Sequence, residues 1–150
     1  MIDAESSRIA LDNWPTGVIF IEWNYGFDCF AGRAIAESGL KGNPVADVFA
    51  VNIPSRDEIR GNAAHYLRGA FGMNGRAAWD QIAVLIAVRG TQPYFNVTRG
   101  RYRMVGKDGA NEWVPDENGP HLRVTEKVSK AEVGRIIDEL MLRPATSSRQ

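Results

Sequence analysis

The stretch GRAAWDQIAVLIAVRG, Gly75 to Gly90, decides how this chain is read. Trp79 to Val88 is its strongest helical segment, and Arg89 and Gly90 close it. A cation suits the negative end of the helix dipole, and glycine suits the residue just past a helix. Trp79, Ile82, Ala83 and Ile86 mark one face. Val84, Leu85, Ala87 and Val88 leave almost no polar face, so the helix is expected to be buried on nearly all sides. Asp80 stands out in that setting, because a buried carboxylate is costly unless it is paired or metal-bound. Two readings are open. Asp80 is a first-turn aspartate held by free amides and the dipole, or it is a ligand of a hard cation. The second needs partners from elsewhere, since calcium takes roughly six to eight oxygens.

Upstream, residues 3–13 read as a short helix that Pro15 ends. Val18-Ile19-Phe20-Ile21 is an apolar, β-branched run suited to a strand buried on both faces, as in a parallel sheet. Asn24-Tyr25-Gly26 reads as the turn after it. Residues 27–38 read as helix with Gly39 as cap, 39–55 as loop, 56–69 as helix and 69–75 as a glycine-rich loop.

Downstream, residues 93–126 change character. Short β-type runs begin at Tyr94, Arg101, Glu112 and Leu122. Lys107-Asp108-Gly109 and Asp116-Glu117-Asn118-Gly119 supply turns, and a small antiparallel meander is expected. Ser129 and Glu132 form a capping-box pattern. Val133, Ile136, Ile137, Leu140 and Met141 follow at amphipathic helical spacing. Pro144 stops that helix, and residues 145–150 are expected to fray. The whole reads as one domain over 1–150.

Eighteen basic residues balance eighteen acidic ones, so no global field favours nucleic acid or an anionic membrane. One cysteine, Cys29, rules out an internal disulfide. The polar N-terminus has no apolar signal-peptide core, and no run approaches the ~20 apolar residues of a membrane span. A cytoplasmic location is the expectation. His65 and His121 read as surface or satisfied histidines. The chain holds no HExxH, CxxC, phosphate-binding loop or GxSxG motif. Glu22 and Asn24 lie just past the first strand, where open α/β sheets place ligand-contacting groups, though ordinary turn chemistry also accounts for them.

Four phrases carry a resemblance. They are Asn13-Trp14-Pro15-Thr16 before Val18-Ile19-Phe20; Gly75-Arg76 with Trp79-Asp80-Gln81, Ala83-Val84-Leu85 and Val88-Arg89-Gly90; Trp113 after Gly109; and Leu140-Met141 with Arg143-Pro144. In this order they resemble the WDQ-type bacterial branch of the inosine–uridine-preferring nucleoside hydrolase family. The resemblance implies an α/β chain forming the C-terminal portion of a Rossmann-like fold, with the antiparallel meander near 93–126. It implies hydrolysis of the N-glycosidic bond of ribonucleosides to base and ribose. It also implies Ca2+ bound to the ribose hydroxyls and the attacking water, which the metal would activate. The motif match makes Asp80 the metal ligand contributed by this half. Trp79 becomes a wall of the leaving-group site, standing where better-known members carry a histidine. Asn24 and Glu22 become substrate contacts.

The family's N-terminal aspartate cluster, of DxDxxxDD type, has no counterpart in these residues. The chain is therefore expected to be a C-terminal fragment or truncated product that is inactive alone. The alternative is a non-enzymatic remnant or interaction module. Either way, Val18–Ile21 and the Trp79 helix are expected to present exposed apolar surface, leading to association with another chain or a homo-oligomer.

Overall fold

The computed structural model describes residues 3–61, 71–72 and 75–143. His65, with the whole of the 62–70 segment, and the tail beyond Arg143 lie outside them. The helices are α1 (Ala4–Asn13), α2 (Trp23–Phe27), α3 (Arg33–Ala36), α4 (Pro44–Asn52), α5 (Arg56–Gly61), α6 (Trp79–Arg89) and α7 (Lys130–Leu142). The strands are β1 (Val18–Phe20), β2 (Phe30–Gly32), β3 (Phe71–Gly72), β4 (Gly75–Ala77), β5 (Phe95–Met104), β6 (Asn111–Pro115) and β7 (His121–Glu126). The fold is mixed α/β, with one four-stranded sheet ordered β1-β7-β5-β6 and one three-stranded sheet ordered β2-β4-β3. None of the helices among the described residues is long and apolar enough to cross a membrane. The chain divides into two compact units, one of residues 1–22 with 91–127, the other of 23–90 with 128–150.

The first unit is built on β5. The two runs that the sequence separates around Gly100 fuse into one strand of ten residues. Gly100 is what allows this, because a Cβ there would lie 2.4 Å from Trp113 Cζ2 and 2.5 Å from Val114 O. A glycine inside a strand often marks such a close approach. β5 and β6 form a hairpin over the Lys107–Gly109 turn, where Asp108 Oδ1 accepts from the Ala110 amide at 3.1 Å. β7 does not continue the meander beside β6. It crosses to the other edge of β5, pairing Phe95 with Glu126 and Gly100 with His121. β1 then adds in parallel to β7, Val18 opposite His121. That makes β1 an edge strand, and Ile19 is 41% exposed. The expected burial on both faces is therefore corrected: Ile19 is exposed on one face, and Val18 and Phe20 are only partly buried on the other.

In the second unit, long-range pairing overrides local helix preference. Residues 27–38 are not one helix. α2 occupies the expected turn and ends at Phe27, then Phe30–Gly32 pairs antiparallel with β4. Gly32, at φ +100°, turns the chain into α3. Gly75, at φ +128°, lies against the backbone of β2, where a Cβ would sit 2.1 Å from Ala31 O. The 39–55 segment is not all loop either. Asn43 accepts from the Val45 and Ala46 amides at 3.0 and 3.2 Å, and Pro44 opens α4. This is a standard way to start a helix. Cys29, Ile35, Ala78, Ile82 and Val133 are wholly enclosed in the core. Burial pushes the Cys29 thiol up to about 11, so it is protonated at neutral pH.

α7 starts at Ser129, whose side chain accepts from the Glu132 amide, while Glu132 itself pairs with Arg135 at 2.8 Å. Its Asp138 is buried and accepts from the Gly32 amide at 2.5 Å and the Ala34 amide at 3.4 Å. The carboxylate thus serves the start of α3 from another helix. Burial raises its pKa, and the two amides only partly oppose this. The folded state therefore holds this proton more tightly than the unfolded chain does. The contribution to stability is complete below the unfolded value of ~3.9 and is lost as pH rises through the folded pKa. The wild-type midpoint in urea should fall over that window relative to Asp138→Asn. The loss should be about 1.4 kcal/mol for each tenfold by which the folded carboxyl binds its proton more tightly. Parallel urea titrations between about pH 4 and 8 measure it. Identical slopes would defeat the assignment.

Candidate functional site

Ala78 positions Asp80. Its amide donates to Cys29 O at 2.9 Å and to Gly26 O at 3.2 Å, which fixes where α6 begins. Ala78 supplies no side-chain cap. The first-turn amides, which lack partners within the helix, and the positive dipole end favour an acid at Asp80. Asp80 is exposed rather than buried. The reason lies in α6 itself, of which only Ile82, Leu85 and Ile86 are buried. Val84 is 61% and Val88 76% exposed, so the expectation of a helix buried on nearly all sides is corrected to one buried face.

Trp79 packs against α2. Its Nε1 donates to Trp23 O at 3.0 Å, and its ring lies 4.5 Å from Trp23 and 6.0 Å from Phe27. Gly26 makes room for it, since a Cβ there would be 2.1 Å from Trp79 Cδ1. Trp79 is half-buried and held by its neighbours, whereas Trp23 is 67% exposed. The ring most open to solvent in this cluster is thus Trp23, which sequence reasoning did not single out. The only signal was its place next to Asn24, which is exposed on α2.

Glu22 belongs to the other unit and is already engaged. Its Oε1 accepts from Tyr102 Oη at 2.9 Å and from the Arg123 guanidinium at 3.1 Å. Arg123 in turn lies over the Trp113 ring at 5.0 Å, a cation–π arrangement. Burial and the Glu22 carboxylate push the Tyr102 phenol up to about 12. His121 opens β7 and is buried, and its Nδ1 accepts from the Tyr102 amide at 3.0 Å. Pro120 has no N–H and β7 begins after it, so the imidazole satisfies the next backbone donor of β5. His121 is a satisfied structural histidine.

A second depression, bordered by α3, α4 and α5, holds Arg33, Glu37 and Arg56. These pair with one another, Arg56 to Glu37 at 2.9 and 3.1 Å and Arg33 to Glu37 at 3.7 Å.

Among the described residues no group of three His, Cys, Asp or Glu side chains could hold a metal ion, and Asp80 supplies one carboxylate of the roughly six to eight oxygens that a calcium ion takes. No catalytic step follows from these residues alone. Comparison with protein-family profiles, curated proteins and solved structures finds no match to this chain.

Proposed function

We propose that this chain is part of a nucleoside hydrolase of Rossmann-like fold, acting on the N-glycosidic bond of ribonucleosides, and that it contributes Asp80 to a calcium site completed by groups outside residues 1–150. The observation that carries this reading is the exposed Asp80 carboxylate in the first turn of α6, beside Trp79 and on the motif that carries the resemblance. Exposure leaves the carboxylate free to join a larger ligand set. Trp79 and Trp23 offer aromatic surface beside it, and Asn24 a polar group for substrate. Purified residues 1–150 should release no base from inosine or uridine with calcium in excess or with EDTA. Calcium-dependent turnover by the chain alone, abolished by Asp80→Ala, would sink the claim that the ligand set is completed from outside.

A second reading, an interaction module without catalysis, is favoured by a separate observation. Val84 and Val88 on α6 and Ile19 on the edge strand β1 present exposed apolar side chains, of the kind partner chains cover.

A further inference from the structure

The depression bordered by α3, α4 and α5 has a volume of about 820 Å3 and lies wholly within the second unit. That is the size of a small-molecule site. We propose that it binds a small monocarboxylate with an apolar tail, the carboxylate on Arg33 and Arg56 and the tail on Ala36, Val51 and Pro54. The inference goes beyond the hydrolase reading and uses none of its residues.

The charges carry it. Arg33 is only 6% exposed, yet its guanidinium stands 3.7 Å from Glu37 Oε1, beyond hydrogen-bond length. Arg56 takes the larger share of that carboxylate through a two-pronged contact, at 2.9 Å to Oε1 and 3.1 Å to Oε2. Two guanidiniums thus share one carboxylate, and the residues outside the described part include no aspartate or glutamate that could add a second. Glu58, also on the rim, is exposed and accepts from the Ser55 amide at 2.6 Å in the first turn of α5. Burial works against the Arg33 charge and lowers its pKa, Glu37 only partly opposes this, and Arg56 adds to it. A guanidinium nonetheless keeps its proton in a protein, so a further anion is the way to compensate it. An excess of one charge in the cluster suits a monoanion better than a phosphate dianion. The side of the cluster is also decided. Arg33, Glu37 and Arg56 border a second depression with Asp28, Asp138 and Glu139, whose carboxyl groups disfavour an anion. On the α4 and α5 side the added polar side chains are the neutral Asn52 and Ser55.

The test is an amide NMR titration of the 150-residue chain with sodium hexanoate, hexylamine and inorganic phosphate. Each is taken to roughly 50 mM at constant ionic strength, a range that reaches the weak affinity of so small a ligand. Hexanoate should give saturable shifts at Asn52, Ser55 and Arg56, phosphate weaker ones, and hexylamine none. Arg33→Gln should weaken hexanoate at least about tenfold, the worth of one charged hydrogen bond. Should that buried change prevent folding, Arg56→Gln, at a side chain 44% exposed, should also weaken it. Glu37→Gln removes the competing carboxylate and should tighten hexanoate at least about threefold, a gain that loss of a merely structural ion pair would not produce. Absence of saturation with hexanoate, equal shifts from hexylamine, or an affinity that Glu37→Gln does not raise overturns the proposal. Phosphate binding more tightly than hexanoate overturns the choice of a monocarboxylate.

Discussion

A chain carrying Gly134→Ala is expected to lose about 3 kcal/mol of stability, the upper part of the range for forcing extra atoms into a packed site. The helix-propensity effect runs the other way, because alanine favours a helix interior over glycine by about 1 kcal/mol. Sterics decide the sign. A Cβ on Gly134 would lie 2.0 Å from Phe30 O and 3.0 Å from Phe30 C. Those are backbone atoms of a paired strand, so no side chain can swing aside. α7 would have to shift away from β2. That movement also stretches the Asp138 contacts to the Gly32 and Ala34 amides. Gly61→Ala is the matched control, since nothing lies within 4 Å of that position. It should leave stability unchanged or raise it by up to about 1 kcal/mol. Urea midpoints of the two variants should therefore move in opposite directions. Equal shifts would mean that α7 does not rest on the strand backbone as described.

Phe95→Ala should cost about 4 kcal/mol in the first unit. Phe95 is the largest wholly buried side chain of the molecule's described part, and it sits at the start of β5 opposite Glu126. Truncation removes the ring's transfer free energy and leaves a cavity that a sheet can only partly close. Its amide donates to Thr91 O at 2.8 Å and is unaffected by the change, so the loss reports the side chain alone. Val97→Ala, on the same strand at a position 38% exposed, should cost less than about 1 kcal/mol. Chemical denaturation followed by far-UV circular dichroism compares the pair. A Phe95→Ala effect no larger than that of Val97→Ala would mean that Phe95 is not a core residue.

Where local chemistry closed an element, that element was legible. Asp3 caps α1 by accepting from the Ser6 amide, Ser129 caps α7, and Gly90 ends α6. The turns at Asp108 and Asp116 both form through aspartate oxygens accepting amides two residues on. What escaped depends on residues distant in the chain. β2 exists because Gly32 pairs with Gly75, and nothing within residues 27–38 announces that. α4 is rich in valine, a modest helix former, and its apolar residues mark no single face, so only Asn43-Pro44 hinted at it. β7 skips β6 because register is set by which faces become buried, not by chain order.

The candidate site was legible to the same degree. Asp80 reads from the sequence as a first-turn acid and lies in the first turn. Its exposure did not follow from composition, because apolar residues on a helix say what it can bury and not whether a partner is present. Trp23 was hidden because exposure of a single aromatic has no sequence period. Asp138 had one signal that could have been used. Gly134 and Asp138 stand four apart beside the apolar stripe of α7, a small residue and an acid placed to meet a strand end.

The enclosed Cys29 has a practical consequence. It is the chain's single thiol, its Sγ faces Lys130 O at 3.3 Å, and its surroundings exclude solvent. An alkylating reagent can reach it only when the segment around β2 and the start of α7 opens. The rate of covalent capture then counts those openings, and the molecule carries its own clock for local unfolding, read at one atom without adding a probe.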